Sequence, residues 1–287
     1  MFINQEGRLP FPKVYPIRIP AIIDLAKNYL AEANLTTDIS YIKLSMVNLE
    51  KTFRDWFAPA VDTTDFPYMY FTNNGITQGL EFLAIHYRQH NIKLLQGDYF
   101  WLKICNAATE VTEIANCDVS YSSTPSAIDG NISQCIWPSK HHILDGAYIG
   151  TSTHKIQPPP NTEMLLLGFG KNLGLVELRA GLILSKKPIK TLEVLQKTFG
   201  HLSLVNHEAI EKICKQISIL ELAKILKTCQ TNFCNQVTEI NLIPSDSAIL
   251  ATSTDDLLFY RRPNGTVRVP LGESITNYIQ HNSNWLL

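Results

Sequence analysis

The feature that most constrains this chain is a series of short apolar runs at residues 68–72, 92–96, 117–121, 133–137, 142–145, 163–167 and 179–184, with polar or helix-patterned stretches between them. A strand covered on both faces reads as a near-continuous apolar run, and strands joined through helices lie parallel. The pattern predicts an α/β layer with a mostly parallel sheet flanked by helices. Apolar residues make up 45% of the 287 positions and charged residues 18%, enough to bury such a sheet and a smaller unit beside it.

The flanks differ in texture. Pro10, Pro12, Pro16 and Pro20 make residues 1–20 read as an extended arm. Apolar positions recur at helical spacing over 21–33 and 41–57. After Pro188 we expect a helix at 189–199 and one long helix at 207–229, carried by Ile210, Ile213, Ile217, Leu220 and Leu226. Short strands are expected at 237–242, 247–251, 257–261 and 266–270, with Pro263-Asn264-Gly265 as a turn and a closing helix after Ser274. This divides the chain into a large domain over 45–187 and a small α+β domain made from 188–287 with residues 1–44.

Several function classes are disfavoured. Lys plus Arg number 25 and Asp plus Glu 26, a formal charge of −1, which gives no global pull toward nucleic acid or an anionic membrane. No apolar stretch approaches a membrane span, and Asn4, Gln5, Glu6 and the prolines stand where a secretory signal needs an apolar core. The six cysteines (Cys105, Cys117, Cys135, Cys214, Cys229, Cys234) contain no Cys-x-x-Cys pair, so free thiols in a reducing cytoplasm are expected. His141 and His142 are adjacent on a strand and point to opposite faces, so no metal site is expected there.

The chemistry concentrates in Glu163–Ser185, where an apolar run ends in Gly168-Phe169-Gly170-Lys171-Asn172-Leu173-Gly174. One reading is a glycine-rich turn with Lys171 solvated. A second is a dinucleotide loop, which requires a following helix and an acidic residue ~20 positions on to hold the ribose. The segment Ala180–Pro188 supplies no such acid, and little room is left for the helix. A third places Lys171 at the end of a buried strand, beside small residues, to form a Schiff base with a carbonyl cofactor. Arg179, eight residues on, would return to the same pocket as an anion ligand.

Three further segments accompany it. Asp145, in Ile143-Leu144-Asp145-Gly146-Ala147-Tyr148, stands at a strand end, where α/β ligands bind, or else simply caps a turn. Asn73-Asn74-Gly75-Ile76-Thr77 ends one strand and opens a helix over 77–90, which is either an ordinary cap or an anion site. Gln96-Gly97-Asp98-Tyr99-Phe100-Trp101 follows the strand at 92–96, with aromatics that either stack on a ligand or enter the core. Arg268 alternates with apolar residues in Thr266-Val267-Arg268-Val269-Pro270.

Gly-Phe-Gly-Lys-Asn-Leu-Gly-Leu-Val-Glu-Leu-Arg-Ala-Gly resembles the lysine segment of the class I/II aminotransferases, the fold-type-I pyridoxal-phosphate enzymes, at Lys171, Gly174, Arg179 and Gly181. The four segments occur in that family's order across roughly residues 65–275. The resemblance implies an aminotransferase-like large domain and small α+β domain, with pyridoxal 5'-phosphate held as a Schiff base on Lys171. It implies Asp145 on the ring nitrogen, Tyr148 on the phenolic oxygen, Tyr99 stacked on the ring, and Gly75, Ile76, Thr77 and Arg179 around the phosphate. Arg268 would clamp a substrate carboxylate, the partners would be a small-molecule amino donor and keto acceptor, and the protein would be a homodimer.

The pattern departs in two places. The family's first serine is Gly168, and the asparagine of its Asn-Pro segment is Ala127, within Thr124–Gly130. An aminotransferase acting on an amino acid or a similar metabolite is the reading these residues favour. A decarboxylase or lyase on the same scaffold, and a degenerate non-catalytic homologue, are the alternatives.

Overall fold

A computed structural model describes residues 13–33, 38–133 and 137–281. Seven strands form one sheet: β1 (Tyr68–Thr72), β2 (Ile92–Leu95), β3 (Ala108–Val111), β4 (Cys117–Ser123), β5 (Ser139–Gly146), β6 (Thr162–Gly168) and β7 (Gly181–Ser185). Their spatial order is β1-β7-β6-β5-β4-β2-β3. All neighbours pair parallel except β7, which is antiparallel to both β6 and β1. A parallel return needs a crossover of a dozen or more residues, usually helical. Between β6 and β7 there is only a loop with a single 3-10 turn at Val176–Leu178, so the chain reverses instead.

Helices α1 (Pro20–Ala31), α2 (Ile39–Phe57), α3 (Gly75–His86) and α4 (Trp101–Ile104) belong to the first half of the chain. Leu80 and Leu83 of α3 and Leu102 of α4 pack with Tyr70, Leu94, Tyr121, Ile143, Leu166 and Ile183 on one face of the sheet. Gly79 lets α3 approach closely, because a Cβ there would lie 3.2 Å from Leu166 Cδ2. The opposite face, with Phe71, Leu144, Leu165 and Leu182, meets Phe53, Trp56 and Phe57 of α2. Phe169, just past β6, stacks into this group with its ring centroid 4.6 Å from that of Phe53.

After α5 (Lys190–Glu193) and a π-helical turn at Val194–Thr198 come α6 (Leu204–Cys214) and α7 (Ile219–Gln236). A second, antiparallel sheet of β8 (Leu242–Pro244), β9 (Leu250–Ser253) and β10 (Arg268–Pro270) follows, then α8 (Gly272–His281). Val269 and Leu250 belong to the same apolar core as Leu165 and Phe53, so the two sheets share a continuous interior. Residues 13–19 form neither helix nor strand, Pro20 already opens α1, and Pro10 and Pro12 lie outside the described residues.

Several expectations need correction. The single helix at 207–229 is two helices, broken where the Ile217 carbonyl accepts the Trp56 indole N–H at 2.7 Å. The apolar period runs through the break because both helices bury that face. Residues 237–241 are not strand, and 258–260 form a 3-10 turn joined to Val267 by an isolated bridge at Arg261. β3 is an unexpected edge strand whose residues are only partly covered, so it lacks the apolar run that marks the others. The candidate at 133–137 includes residues outside the described set, and strand begins at Ser139. The five described cysteines are free thiols, and Cys135 lies outside the described residues. Among the described residues no helix is long and apolar enough to cross a membrane.

Phe53 is fully buried among Phe71, Phe169 and His207. Phe53→Ala is expected to lower unfolding free energy by roughly 3–5 kcal/mol in a denaturant titration.

Candidate active site

The site lies at the edge of the large sheet where β4, β5 and β6 end and β7 begins. That is the edge where ligands of open α/β sheets sit. β1 runs parallel to β6, being antiparallel to β7, so its end and the start of α3 lie at the same edge.

Lys171 stands three residues beyond β6 and is half-buried. Burial, then the positive charges of Arg268 and Arg179, push its ammonium down to about 8. Its Nζ donates to the carbonyl of Val14, in the N-terminal arm. The arm is seated on this loop, since a Cβ on Gly174, which has φ +76, would lie 2.8 Å from the Ile17 carbonyl oxygen. The Arg18 N–H donates to Thr276 Oγ1 of α8 at 2.9 Å. Asn172 Nδ2 donates to the carbonyls of Ile149 and Gly168 at 2.9 and 3.0 Å, which fixes the loop that carries the lysine.

Asp145 closes β5 and is 2% exposed. Its Oδ2 accepts from Tyr121 Oη at 2.6 Å and its Oδ1 from the Ala147 N–H at 2.8 Å. Burial raises the carboxyl to about 6; the two hydrogen bonds oppose the rise and the nearby Asp98 adds to it. Tyr148 is buried, which raises its phenol to about 12, while Arg268 pulls the other way. Tyr99 is raised by burial and then by Asp145. Phe100, expected in the core if not on a ligand, is instead 38% exposed.

The corner between β1 and α3 is joined to the segment before β7 in both directions. The Gly75 N–H donates to the Arg179 carbonyl, and Arg179 Nε donates to Asn74 Oδ1 at 2.6 Å. Thr72 Oγ1 donates to the Gly75 carbonyl at 2.8 Å. Gly75 has φ +59 and Arg179 φ 52, both in the left-handed region, which the interlocked corner imposes. Gly181 is required here because a Cβ would lie 2.8 Å from Thr72 Oγ1. The first turn of α3, with Ile76 and Thr77, thus faces a guanidinium, an arrangement suited to an anion. At Gly168 a Cβ would come within 3.1 Å of Ile76 Cδ1, so the isoleucine fills the space a serine there would need.

Arg268, on β10, is 3% exposed and donates through Nη1 to the Ala127 carbonyl at 2.5 Å. Three neighbours escaped the sequence reading. Arg262 donates to the Gly97 carbonyl and is lowered to about 10, by burial and then Arg268. Asp98, buried and shifted upward by burial, accepts from Ser123 Oγ at 2.5 Å and from the Tyr99 N–H at 2.7 Å. Tyr121 is the third. Each sits in an ordinary-looking strand or loop, and only the fold turns it toward the site.

Lys171 thus feels the charges of Arg268 and Arg179, while Tyr148 feels Arg268 and Asp145 and Tyr99 feels Asp145 and Arg179, with Gly75, Ile76 and Thr77 beside Arg179. An amine that loses its proton near pH 8, a buried carboxylate and an anion cradle can together bind a phosphorylated carbonyl compound and attack it.

No protein-family model matches the sequence, and no curated protein does. Solved structures do resemble it in fold. Histidinol-phosphate aminotransferase from Sinorhizobium meliloti, in complex with pyridoxal-5'-phosphate, superimposes with a TM-score of 0.60 at 14% identity, over 95% of this chain and 90% of that one. An aminotransferase from Staphylococcus aureus gives 0.59 at 13%, over 98% and 96%. L-threonine-O-3-phosphate decarboxylase from Porphyromonas gingivalis gives 0.58 at 12%, over 99% and 98%. The fold of this chain is the aminotransferase-like, fold-type-I one.

Asp145 carries a pH signature in the cofactor-free protein. Its folded value near 6 exceeds the ordinary carboxyl value of about 4, so the folded state holds more protons between the two and stability falls as pH rises through that window. Asp145→Asn is expected to gain on the wild type as pH climbs from 4 to 7, by on the order of 2–3 kcal/mol in urea titrations of cofactor-free protein.

Proposed function

We propose that this fold-type-I chain is a pyridoxal-phosphate-dependent aminotransferase acting on an amino acid or amino-acid-like metabolite, with Lys171 as the residue joined to the cofactor. The observation that supports the reading is that a lysine lowered to about 8 follows β6 at the same sheet edge where a buried carboxylate stands near the end of the neighbouring β5.

The residues present fit the cofactor. Among the described residues Asp145 is a buried carboxylate without a cationic side chain bonded to it, and a protonated ring nitrogen would supply that charge. The first turn of α3, Thr77 and Arg179 suit a phosphate, with the space of the missing serine taken by Ile76. Pyridoxal phosphate supplies an aldehyde carbon and a ring that accepts electrons from a substrate carbanion.

The chain's own groups supply the rest. Lys171, which here donates to the Val14 carbonyl, would in its neutral form condense with the aldehyde with loss of water, and once released would carry the proton taken from the substrate Cα. Asp145 would face the ring nitrogen as the anion that keeps it protonated. Tyr148, protonated at neutral pH, donates to the phenolic oxygen alone, since Ala127 cannot take the asparagine's part. Tyr99 would lie against the ring, and Arg268 would turn from the Ala127 carbonyl to hold a carboxylate. A large domain at 45–187, a small domain completed by the N-terminal segment, a homodimer and a cytoplasmic setting belong to the same proposal.

A second reading, decarboxylation, is favoured by the equal likeness to the Porphyromonas gingivalis decarboxylase. An amino donor that yields one equivalent of keto acid and of pyridoxamine phosphate per site supports transamination; carbon dioxide release without a keto acceptor supports the alternative.

Borohydride treatment of the loaded protein is expected to fix the cofactor to wild type and not to Lys171→Ala; fixation to the variant would refute the assignment. The rate of cofactor attachment is expected to rise with pH and level off above a midpoint of about 8. Protein that stays colourless with added cofactor would indicate a non-catalytic homologue.

A further inference from the structure

Asp145 accepts from two hydrogen-bond donors among the described residues. The Ala147 N–H is backbone, so it survives any change of side chain at that turn. The other, Tyr121, is a choice of sequence. In the parallel pairing of β4 with β5, Tyr121 lies beside Ile143 and Ser123 beside Asp145. Paired residues share a face of the sheet, so Tyr121 and Asp145 are diagonal neighbours two positions apart on that face. A tyrosine is long enough to span the diagonal, and its hydroxyl meets Asp145 Oδ2 at 2.6 Å.

The ring has no freedom to leave. Tyr121 is fully buried and packs with Leu94, Ile143 and Leu166 under α3. Burial and the neighbouring carboxylates Asp145 and Asp98 hold the phenol well above its ordinary range, so its proton stays in place to be donated. A hydrogen bond to a charged acceptor is among the strong ones, and a buried carboxylate without donors takes up a proton. A neutral Asp145 would have no charge to offer a ring nitrogen.

We propose that Tyr121 is a positioning residue that fixes Asp145 and keeps it ionised, so that the cofactor's ring nitrogen is bound in its protonated form. This rests on the assignment of Asp145 to that nitrogen. Tyr121 touches neither substrate nor cofactor, and its effect passes entirely through the carboxylate.

The test is a pair of affinities measured for Tyr121→Phe, which removes one oxygen from a packed ring. The probes are pyridoxal 5'-phosphate and its 1-deaza analogue, which keeps the aldehyde and phosphate but has carbon in place of the ring nitrogen. Pyridoxal phosphate affinity is expected to fall roughly tenfold or more, the loss of one charge-assisted hydrogen bond, while affinity for the analogue changes less than twofold. Equal losses for both probes would make Tyr121 a merely structural residue and overturn the proposal, as would no loss for either.

If the lone hydroxyl deletion prevents folding, the comparison is made in an Asp145→Asn background, where no buried charge is left stranded. There Tyr121→Phe is expected to leave pyridoxal phosphate affinity within twofold, and an undiminished tenfold loss overturns the proposal. Wild-type protein that binds both probes equally refutes Asp145 as the ring's partner, a failure of the underlying reading distinct from any behaviour of Tyr121.

Discussion

The reversal between β6 and β7 is the constraint on which the rest of the molecule depends. The connection holds nothing longer than a 3-10 turn, so β7 pairs antiparallel and the chain leaves and re-enters the sheet at the same edge. Lys171 departs from β6 and Arg179 arrives at β7 within that one loop. Because β1 pairs with the far side of β7, the Gly75 corner is brought against Arg179 as well, and the two segments exchange hydrogen bonds. Had a helix been inserted there, the lysine and the arginine would have been separated by the thickness of a layer.

Around this edge the protein concentrates charge that costs energy to bury. Asp145 and Asp98 are buried carboxylates, Arg262 and Arg268 buried guanidiniums, and Lys171 lies between Arg179 and Arg268. The arginines are tied to backbone carbonyls of Gly97 and Ala127, and the carboxylates to Tyr121, Ser123 and main-chain N–H groups. Hydrogen bonds make such burial tolerable, and the remaining imbalance, visible as the raised carboxyl and lowered ammonium, is what a charged ligand can relieve. The arm at 13–19 adds a last partner, the Val14 carbonyl on Lys171.

The large sheet was legible because its strands are buried on both faces, so 68–72, 163–167 and 179–184 stand out as apolar runs. The lysine loop was legible for a different reason: glycines at 174 and 181 answer to close approaches of neighbouring backbone that leave no room for a Cβ. Legibility failed where local pattern and global packing part. The period through 207–229 could not reveal the break at Ile217, which is made by an indole from α2. β3, half-covered at the sheet edge, has no apolar run to announce it. Tyr121 reads as one more strand aromatic until its register beside Asp145 is known.

By itself the sequence determined the layer type and set out, in chain order, the segments that stand around the candidate site, because strand burial, tight turns and charged groups are properties of short stretches. Only the tertiary structure decided which side chains support them: that Tyr121 holds Asp145, that Asn74 orients Arg179, that Ile76 takes the room of a missing serine, and that the N-terminal arm crosses the lysine. Those contacts join residues far apart in the chain, and their distances are set by strand register and loop closure, which no local stretch encodes.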